Sequence, residues 1–271
     1  EGFELIFNEL AIVESTEEIA SNTFQTFLKS PKIAASIKPG QFINILPSEY
    51  WDKMMRRPMS VASQKDEVIS IIYKVVGEGT ELMQNWSVGD SVDLIGPLGN
   101  FWDGYADKLS ILIGGGVGIA PILNLHNHLD ELGEEKVLIM GARNSSEHFI
   151  DHNPENGVYM TTDDGSLGIH GNVLEPLKIA LENIDIQNVK VFACGPPAMM
   201  EAVRQYSISE GIECDLALET LMACGFGICQ GCTVEFEKKQ KTTEHSYRNR
   251  FGLVCMDGPI FESKEIKSCH L

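Results

Sequence analysis

The stretch Cys224-Gly225-Phe226-Gly227-Ile228-Cys229-Gln230-Gly231-Cys232 organises this 271-residue chain, and a fourth cysteine, Cys255, follows it. The spacing C-x4-C-x2-C with a distant fourth cysteine is that of a plant-type ferredoxin loop, which holds a [2Fe–2S] cluster. Glycine adopts positive φ angles easily, so we expect Gly225, Gly227 and Gly231 to turn the loop and bring backbone N–H groups towards the sulfurs. The sequence therefore predicts Cys224, Cys229, Cys232 and Cys255 as cluster ligands.

Two other uses of the four cysteines remain open at this point. A structural zinc ion usually takes two short C-x2–4-C pairs, whereas here three cysteines are bunched and one is single. Disulfides are the second alternative. The spacing and the density of glycine favour the [2Fe–2S] cluster over both.

Length and charge narrow the class of protein. The chain is long enough for two or three domains, and 43% of its residues are hydrophobic, which suffices for packed cores. A net charge of −18 repels phosphate backbones, so we expect no nucleic-acid partner, although a nucleotide can be held by a few local donors.

The sequence has no apolar run of the roughly 18 residues that span a bilayer, no secretory segment at its start and an odd number of cysteines. We therefore expect a soluble cytoplasmic protein with no membrane partner.

Residues 1–105 are predicted to form a small antiparallel β-barrel. Apolar or alternating runs at residues 42–46, 68–73 and 91–95 are separated by glycine- and proline-containing turns.

Within this region, Arg57-Pro58-Met59-Ser60 places a forked donor and a hydroxyl at a strand edge, where they could bind a diphosphate, although an exposed arginine is more often only solvated. Gly79-Thr80 opens a helical stretch at residues 81–86, whose start could receive a phosphate or simply be capped by the threonine.

Residues 106–217 are predicted to form a doubly wound parallel sheet with helices. A buried strand at residues 109–113 leads into Gly114-Gly115-Gly116-Val117-Gly118-Ile119-Ala120-Pro121 and then a helix at residues 122–129. Ile119 departs from the usual G-x-G-x-x-G fingerprint, but the small residues still let backbone approach a pyrophosphate at a helix start. A tight turn without ligand is the alternative.

Further strands of this sheet are predicted at residues 136–141, 158–162, 188–193 and 212–218, with a helix from Ala198 to about Glu210. Ligands of such sheets bind beyond the carboxyl ends of the strands, where Cys194-Gly195-Pro196 and Asp163-Asp164 are expected to lie. The two carboxylates suit ribose hydroxyls and repel a 2′-phosphate, whereas Arg143 at another strand end argues for NADPH. On balance the sequence favours NADH.

Residues 218–271 are predicted to form a small cluster domain. Strands are expected at residues 233–237 and 251–254, joined by a polar hairpin or loop at residues 238–245, and a turn at residues 256–261 follows Cys255.

In this order, the motifs resemble the ferredoxin–NADP⁺ reductase superfamily and, within it, the electron-transfer subunits of class 1B dihydroorotate dehydrogenases. The resemblance implies FAD in the barrel, NAD(H) in the α/β domain and one [2Fe–2S] cluster. It implies that Arg57, Pro58, Met59, Ser60, Gly79 and Thr80 hold the FAD diphosphate and ribityl chain, and that Ile72, Tyr73 and Lys74 lie along the flavin. The remaining residues expected to bind nucleotide are Gly114, Gly115, Gly116, Gly118, Pro121, Asp163, Asp164, Cys194, Gly195 and Pro196.

The resemblance also implies a relay without a catalytic acid or base: hydride passes between NADH and FAD, and single electrons pass between FAD and the cluster. Its partner would be an FMN-containing dihydroorotate dehydrogenase subunit in pyrimidine biosynthesis, docked on an apolar rim that includes Phe226, Ile228, Ile260 and Phe261. The alternatives are a subunit of a sulfide dehydrogenase or an NADH–ferredoxin transhydrogenase, a stand-alone reductase, and a zinc-bearing nucleotide-binding protein without enzymatic activity.

Overall fold

The computed structural model describes residues 5–48, 55–237 and 249–271. Its N-terminal part is a closed antiparallel barrel of six strands in the order β1-β2-β5-β4-β3-β6. Alternate residues such as Ile43, Ile45, Ile69 and Ile71 are fully buried inside it, as the period of two of a β-strand requires. The strands are β1 (Phe7–Ala20), β2 (Thr23–Lys29), β3 (Phe42–Leu46), β4 (Arg57–Lys65), β5 (Val68–Lys74) and β6 (Ser91–Leu98).

A second sheet has seven strands in the order β10-β9-β8-β7-β11-β12-β15. All neighbours pair in parallel except β12 and β15, which are antiparallel. The strand order reverses between β7 and β11, and such a switch point is where open α/β sheets bind ligands. The strands are β7 (Leu109–Gly115), β8 (Lys136–Ala142), β9 (Val158–Thr162), β10 (Ile169–His170), β11 (Val189–Cys194), β12 (Glu213–Ala217) and β15 (Ile260–Glu262).

Five α-helices accompany the sheets within the described residues. The helix predicted at residues 81–86 is wrong in position. The observed helix α2 begins at Glu78, directly after Gly77, and Thr80 lies inside it. The Thr80 hydroxyl accepts hydrogen bonds from the backbone N–H groups of Val76 and Gly77. Among the described helices, none is both long and apolar enough to cross a membrane. The helices are α1 (Pro31–Ala34), α2 (Glu78–Met83), α3 (Ile119–Leu132), α4 (Leu174–Ala180) and α5 (Pro197–Glu210).

The C-terminal segment joins the other two parts rather than standing apart. β13 (Thr233–Glu235) and β14 (Phe251–Leu253) form a two-stranded antiparallel sheet. The turn predicted over residues 256–261 is wrong at its end, because Ile260 and Phe261 belong to β15 and pair with β12. The hairpin or loop predicted at residues 238–245 lies outside the described residues. The predicted combination of barrel, parallel sheet and C-terminal segment is confirmed, and the boundaries at residues 105 and 217 stay predictions.

Candidate functional site

The four predicted cluster cysteines form two pairs of thiols at the C-terminal loop. The Sγ atoms of Cys224 and Cys229 lie 3.4 Å apart, and those of Cys232 and Cys255 lie 3.2 Å apart. All four are free thiols, so the disulfide alternative is wrong. No group of three or more His, Cys, Asp or Glu side chains within the described ranges meets the geometry of a single-ion site. A [2Fe–2S] cluster takes two thiolates on each of its irons, so two pairs fit this cluster.

Backbone N–H groups surround the first thiol of the loop. Burial raises the pKa of Cys224, but hydrogen bonds from the N–H groups of Cys229, Phe226 and Ile228 outweigh it and lower that pKa to about 7. The loop therefore stabilises a thiolate, which is the form that binds iron.

The turns of this loop differ in part from the prediction. Gly225 and Gly227 both have φ of +82°, as expected. The prediction was wrong for Gly231, because the left-handed conformation falls on the preceding residue, Gln230, with φ of +54°. A positive φ is uncommon for a residue other than glycine.

A cavity of about 270 Å³ lies between the barrel and the α/β sheet and contains much of the predicted flavin site. Ile72, Tyr73 and Lys74 all line it, but their side chains divide between two sides of β5. The Tyr73 ring packs into the barrel core and its hydroxyl lies 3.3 Å from that of Thr26, whereas Ile72 packs outward against α3. The apolar walls and few polar groups fit a flavin ring. The predicted residues that line this cavity are Pro58, Met59, Ser60, Ile72, Tyr73, Lys74 and Thr80.

Two adjacent arginines have different roles in the barrel. Arg56 is tied down by Asp93, whose Oδ1 it meets at 2.9 Å, and by backbone carbonyls. Arg57 instead lies over the backbone of α2, where a β-carbon on Gly79 would stand 2.7 Å from the guanidinium Nε. The absence of a side chain at Gly79 thus lets Arg57 approach the start of α2.

A second cavity of about 780 Å³ opens at the switch point of the sheet. Gly115 and Gly116 of the glycine loop and Pro196 after β11 line it. Gly118 packs so closely on β11 that a β-carbon there would stand 2.5 Å from the Cys194 carbonyl oxygen. Gly114 lies near the end of β7, Gly195 directly follows β11, and Pro121 lies in the first turn of α3. The predicted pyrophosphate loop and the turn at Cys194 are therefore side by side.

The far wall of this cavity carries charged groups that sequence reasoning found only in part. Arg143 and Asp163 line it, and Asp164 follows at the end of β9. Glu147, which the sequence analysis missed, also lines it and accepts a hydrogen bond from Lys74 Nζ at 2.8 Å. The Arg143 guanidinium donates to the same carboxylate. No local sequence signal marks Glu147, because Arg143 and Glu147 lie between β8 and β9 and share no helix, and Lys74 comes from the barrel.

Glu219 stands where the two cavities meet and was likewise missed. Its side chain lines both cavities, so water reaches it from the cleft although protein surrounds it. The Cys194 thiol donates to its Oε1 at 3.8 Å. Burial raises the pKa of the Glu219 carboxyl and raises that of the Cys194 thiol well above its usual value. Burial and the neighbouring carboxyl therefore favour the neutral form of the Cys194 thiol.

The apolar rim predicted around the cluster is only half correct. Phe226 and Ile228 are 37% and 77% exposed beside the cysteines. Ile260 and Phe261 are buried in β15, so their inclusion was wrong. Leu221 and Met256, which are 91% and 55% exposed, take their place beside the loop.

Comparisons with known proteins agree with this geometry. The profile of the iron-sulfur cluster binding domain of dihydroorotate dehydrogenase B matches residues 219–267, and that of the oxidoreductase NAD-binding domain matches residues 112–205. The predictions of an iron–sulfur segment and an NAD-binding segment are thereby confirmed.

Relatives and solved structures extend the likeness to nearly the whole chain. The dihydroorotate dehydrogenase B (NAD(+)) electron transfer subunit of Listeria monocytogenes is 34% identical over 97% of this chain and 100% of its own length. The corresponding subunit of Fusobacterium nucleatum is 30% identical over 94% and 96%. The structure of an NADH-dependent reduced ferredoxin-NADP oxidoreductase is 26% identical with a TM-score of 0.80 over 96% of this chain and 90% of that one. A ferredoxin NADP⁺ reductase from Neisseria gonorrhoeae, 16% identical with a TM-score of 0.62 over 75% and 92%, shares the fold. This chain therefore belongs to the family of dihydroorotate dehydrogenase B electron transfer subunits.

Proposed function

We propose that this chain relays electrons between NAD(H) and an FMN-containing dihydroorotate dehydrogenase catalytic subunit by way of FAD and one [2Fe–2S] cluster. The observation that carries the proposal is that one backbone segment links the first cavity to the cluster loop. Glu219, Thr220 and Met222 line the first cavity, and the first cluster cysteine, Cys224, follows at once. Two residues of chain span at most about 7 Å, so the wall of the flavin cavity and the cluster loop are continuous.

The residues around each cavity have distinct tasks in this proposal. Arg57, Ser60, Gly79 and Thr80 would hold the FAD diphosphate, and Ile72 and Lys74 would lie along its ring. The glycine loop after β7 would hold the pyrophosphate of NAD(H) at the start of α3. When bound, FAD would supply two-electron chemistry towards the nicotinamide and one-electron chemistry towards the cluster.

The proposed partner would cover the cluster loop. Cys229 is exposed there, and Phe226, Ile228, Leu221 and Met256 present apolar surface around it. Exposed apolar patches of this kind mark protein interfaces. We further propose that the complex is cytoplasmic, because the three cysteines outside the proposed cluster, Cys194, Cys214 and Cys269, form no disulfide, as is usual in a reducing compartment.

Co-expression with an FMN-containing dihydroorotate dehydrogenase tests the function. We expect a complex that reduces NAD⁺ when dihydroorotate is added. In a Cys229→Ser variant, NAD⁺ reduction should be lost while the catalytic subunit still reduces an artificial dye with dihydroorotate. NAD⁺ reduction that does not depend on Cys229 would contradict the relay.

The likeness to an NADH-dependent reduced ferredoxin-NADP oxidoreductase favours a second candidate, in which ferredoxin is the partner. NADH-dependent ferredoxin reduction without the catalytic subunit, together with failure to form the complex, would support it instead.

A further inference from the structure

The position of Arg143 makes it the residue expected to decide between NADH and NADPH. It follows β8, which pairs in parallel with β7, the strand that leads into the glycine loop. In doubly wound sheets an acidic residue near this place accepts a hydrogen bond from the ribose 2′-hydroxyl of NAD, whereas an arginine accommodates the 2′-phosphate of NADP. Arg143 lines the cavity and its side chain is 71% exposed, so by itself it would favour NADPH.

The phosphate-binding edge of this arginine is already occupied. Arg143 Nε lies 3.1 Å from Glu147 Oε1 and 3.4 Å from Oε2, and its Nη2 also donates to Oε1. Nε and one Nη form the forked pair of donors with which arginine clamps a phosphate or carboxylate. Glu147 therefore takes the donors that a 2′-phosphate would need.

Glu147 is itself held in place from the barrel. Lys74 Nζ in β5 donates to its Oε1 at 2.8 Å, and the backbone N–H of Arg143 lies 3.4 Å from its Oε2. The Glu147 side chain is only 13% exposed. A carboxylate fixed by two cations and shielded from water is not easily displaced by an incoming phosphate.

The charge around this wall also disfavours binding of a 2′-phosphate. Asp163 lines the cavity beside Arg143, and Asp164 is fixed as a carboxylate by the Ser166 hydroxyl and backbone N–H at 2.6 and 2.9 Å. Glu147 and Asp163 in the wall balance the two cations Lys74 and Arg143, and Asp164 next to Asp163 makes the surroundings negative. A phosphate monoester brings about −1.5 to −2 charges, so it is repelled, whereas a ribose diol can donate to the carboxylates.

We propose that Glu147 determines nucleotide preference: by occupying the forked edge of Arg143, it makes this site select the adenosine ribose of NAD(H) and reject a 2′-phosphate. The inference rests on the proposed function only in taking the second cavity as the nucleotide site. Glu147 is a positioning residue here, because it acts through Arg143.

Calorimetric titration of the FAD- and cluster-loaded protein with ADP and with 2′,5′-ADP tests this proposal without turnover. The unmodified protein should prefer ADP. In Glu147→Gln the preference should shift towards 2′,5′-ADP by roughly tenfold, the size of one charge-assisted hydrogen bond. Glu155→Gln, which removes the same charge from an exposed turn outside the cavity, is the matched control and should not shift it.

Arg143 supplies two further comparisons. Adding Arg143→Ala to Glu147→Gln should reverse the shift, and Arg143→Ala alone should leave the 2′,5′-ADP affinity of the original protein unchanged. The measurement on Arg143→Ala alone remains informative if Glu147→Gln fails to fold. A shift that survives without Arg143, an unchanged preference in folded Glu147→Gln, or loss of 2′,5′-ADP binding in Arg143→Ala alone would overturn the inference. If NADH still reduces the flavin in those cases, only this inference fails; if NADH does not reduce the flavin of the unmodified protein, the proposed function fails with it.

Discussion

The side-chain amide of Asn44, in strand β3 of the barrel, donates a 3.0 Å hydrogen bond to the carbonyl oxygen of Cys224 in the cluster loop. Asn44 is fully buried, and the two residues are 180 positions apart in the chain. Gly225 packs on the same amide, since a β-carbon there would stand 2.8 Å from Asn44 Nδ2. The barrel that is proposed to hold the flavin thus also fixes the start of the cluster loop.

Replacing Asn44 by Ala should loosen the cluster loop without removing a ligand. The Cys224 carbonyl would lose its 3.0 Å hydrogen bond, and a typical hydrogen bond contributes about 0.5–1.5 kcal/mol. We expect faster loss of the iron–sulfur absorption in the presence of a chelator, with FAD retained. Asn127→Ala, on the exposed surface of α3, is the control. Equal rates of cluster loss in the two variants would show that the Asn44 contact is unimportant.

Replacing Cys229 by Ser should abolish the [2Fe–2S] cluster, because one iron would lose half of its thiol pair. Cys229 does not line the first cavity, which is proposed to hold the flavin, so FAD should remain bound. Cys269→Ala removes a buried thiol outside the four and should keep the cluster. Iron content and visible spectra of both variants after anaerobic reconstitution decide the ligand assignment, which a normal cluster in Cys229→Ser would refute.

Replacing Gly79 by Ala should weaken FAD binding by roughly tenfold, the loss of one hydrogen bond to a charged group. The new methyl group would stand 2.7 Å from Arg57 Nε and displace the guanidinium. Gly77→Ala is a matched control, because Gly77 has an extended backbone with φ of 174° and no atom within 4 Å of its added β-carbon. Dissociation constants for FAD measured by flavin fluorescence should separate the two variants. Similar constants would remove Arg57 from the FAD site.

Replacing Glu147 by Gln should destabilise the fold in a pH-dependent way. Hydrogen bonds from Arg143, opposed by burial and assisted by Lys74, lower the pKa of Glu147 from 4.5 to about 2. A pKa lowered by folding contributes stability above pH 4.5 and loses it as the pH falls towards 2. Because solvent screens part of this network, we expect a loss of about 1 kcal/mol at pH 7. Urea unfolding of both proteins should show that the difference narrows at pH 3, and a constant difference would argue against the ion pair.

The strands were predictable wherever an apolar run by itself marks a buried strand. β3 and β9 lie where the sequence predicts them, and β7 and β8 differ from the prediction by one or two residues at their ends. β15 was not predictable in this way. It has three residues, it follows the turn residues Gly258 and Pro259, and it depends on pairing with β12, which is distant in the chain.

The candidate site shows the same division between local and long-range signals. The spacing of Cys224, Cys229 and Cys232 is local, and the structure brings these thiols and that of the distant Cys255 together in two pairs. Their role as cluster ligands stays a prediction. Glu147 and Glu219 have no local motif. Their importance comes from Lys74, Arg143 and Cys194, which other elements bring to them.

Anaerobic titration of the FAD- and cluster-loaded protein with NADH, followed by visible absorption and electron paramagnetic resonance, tests the relay most directly. We expect NADH to bleach the flavin absorption and to produce the signal of a reduced [2Fe–2S] cluster. In Cys229→Ser the flavin should still be bleached and the cluster signal should be missing. A reduced flavin beside a fully loaded cluster that NADH leaves oxidised, although dithionite reduces that cluster, would contradict the relay.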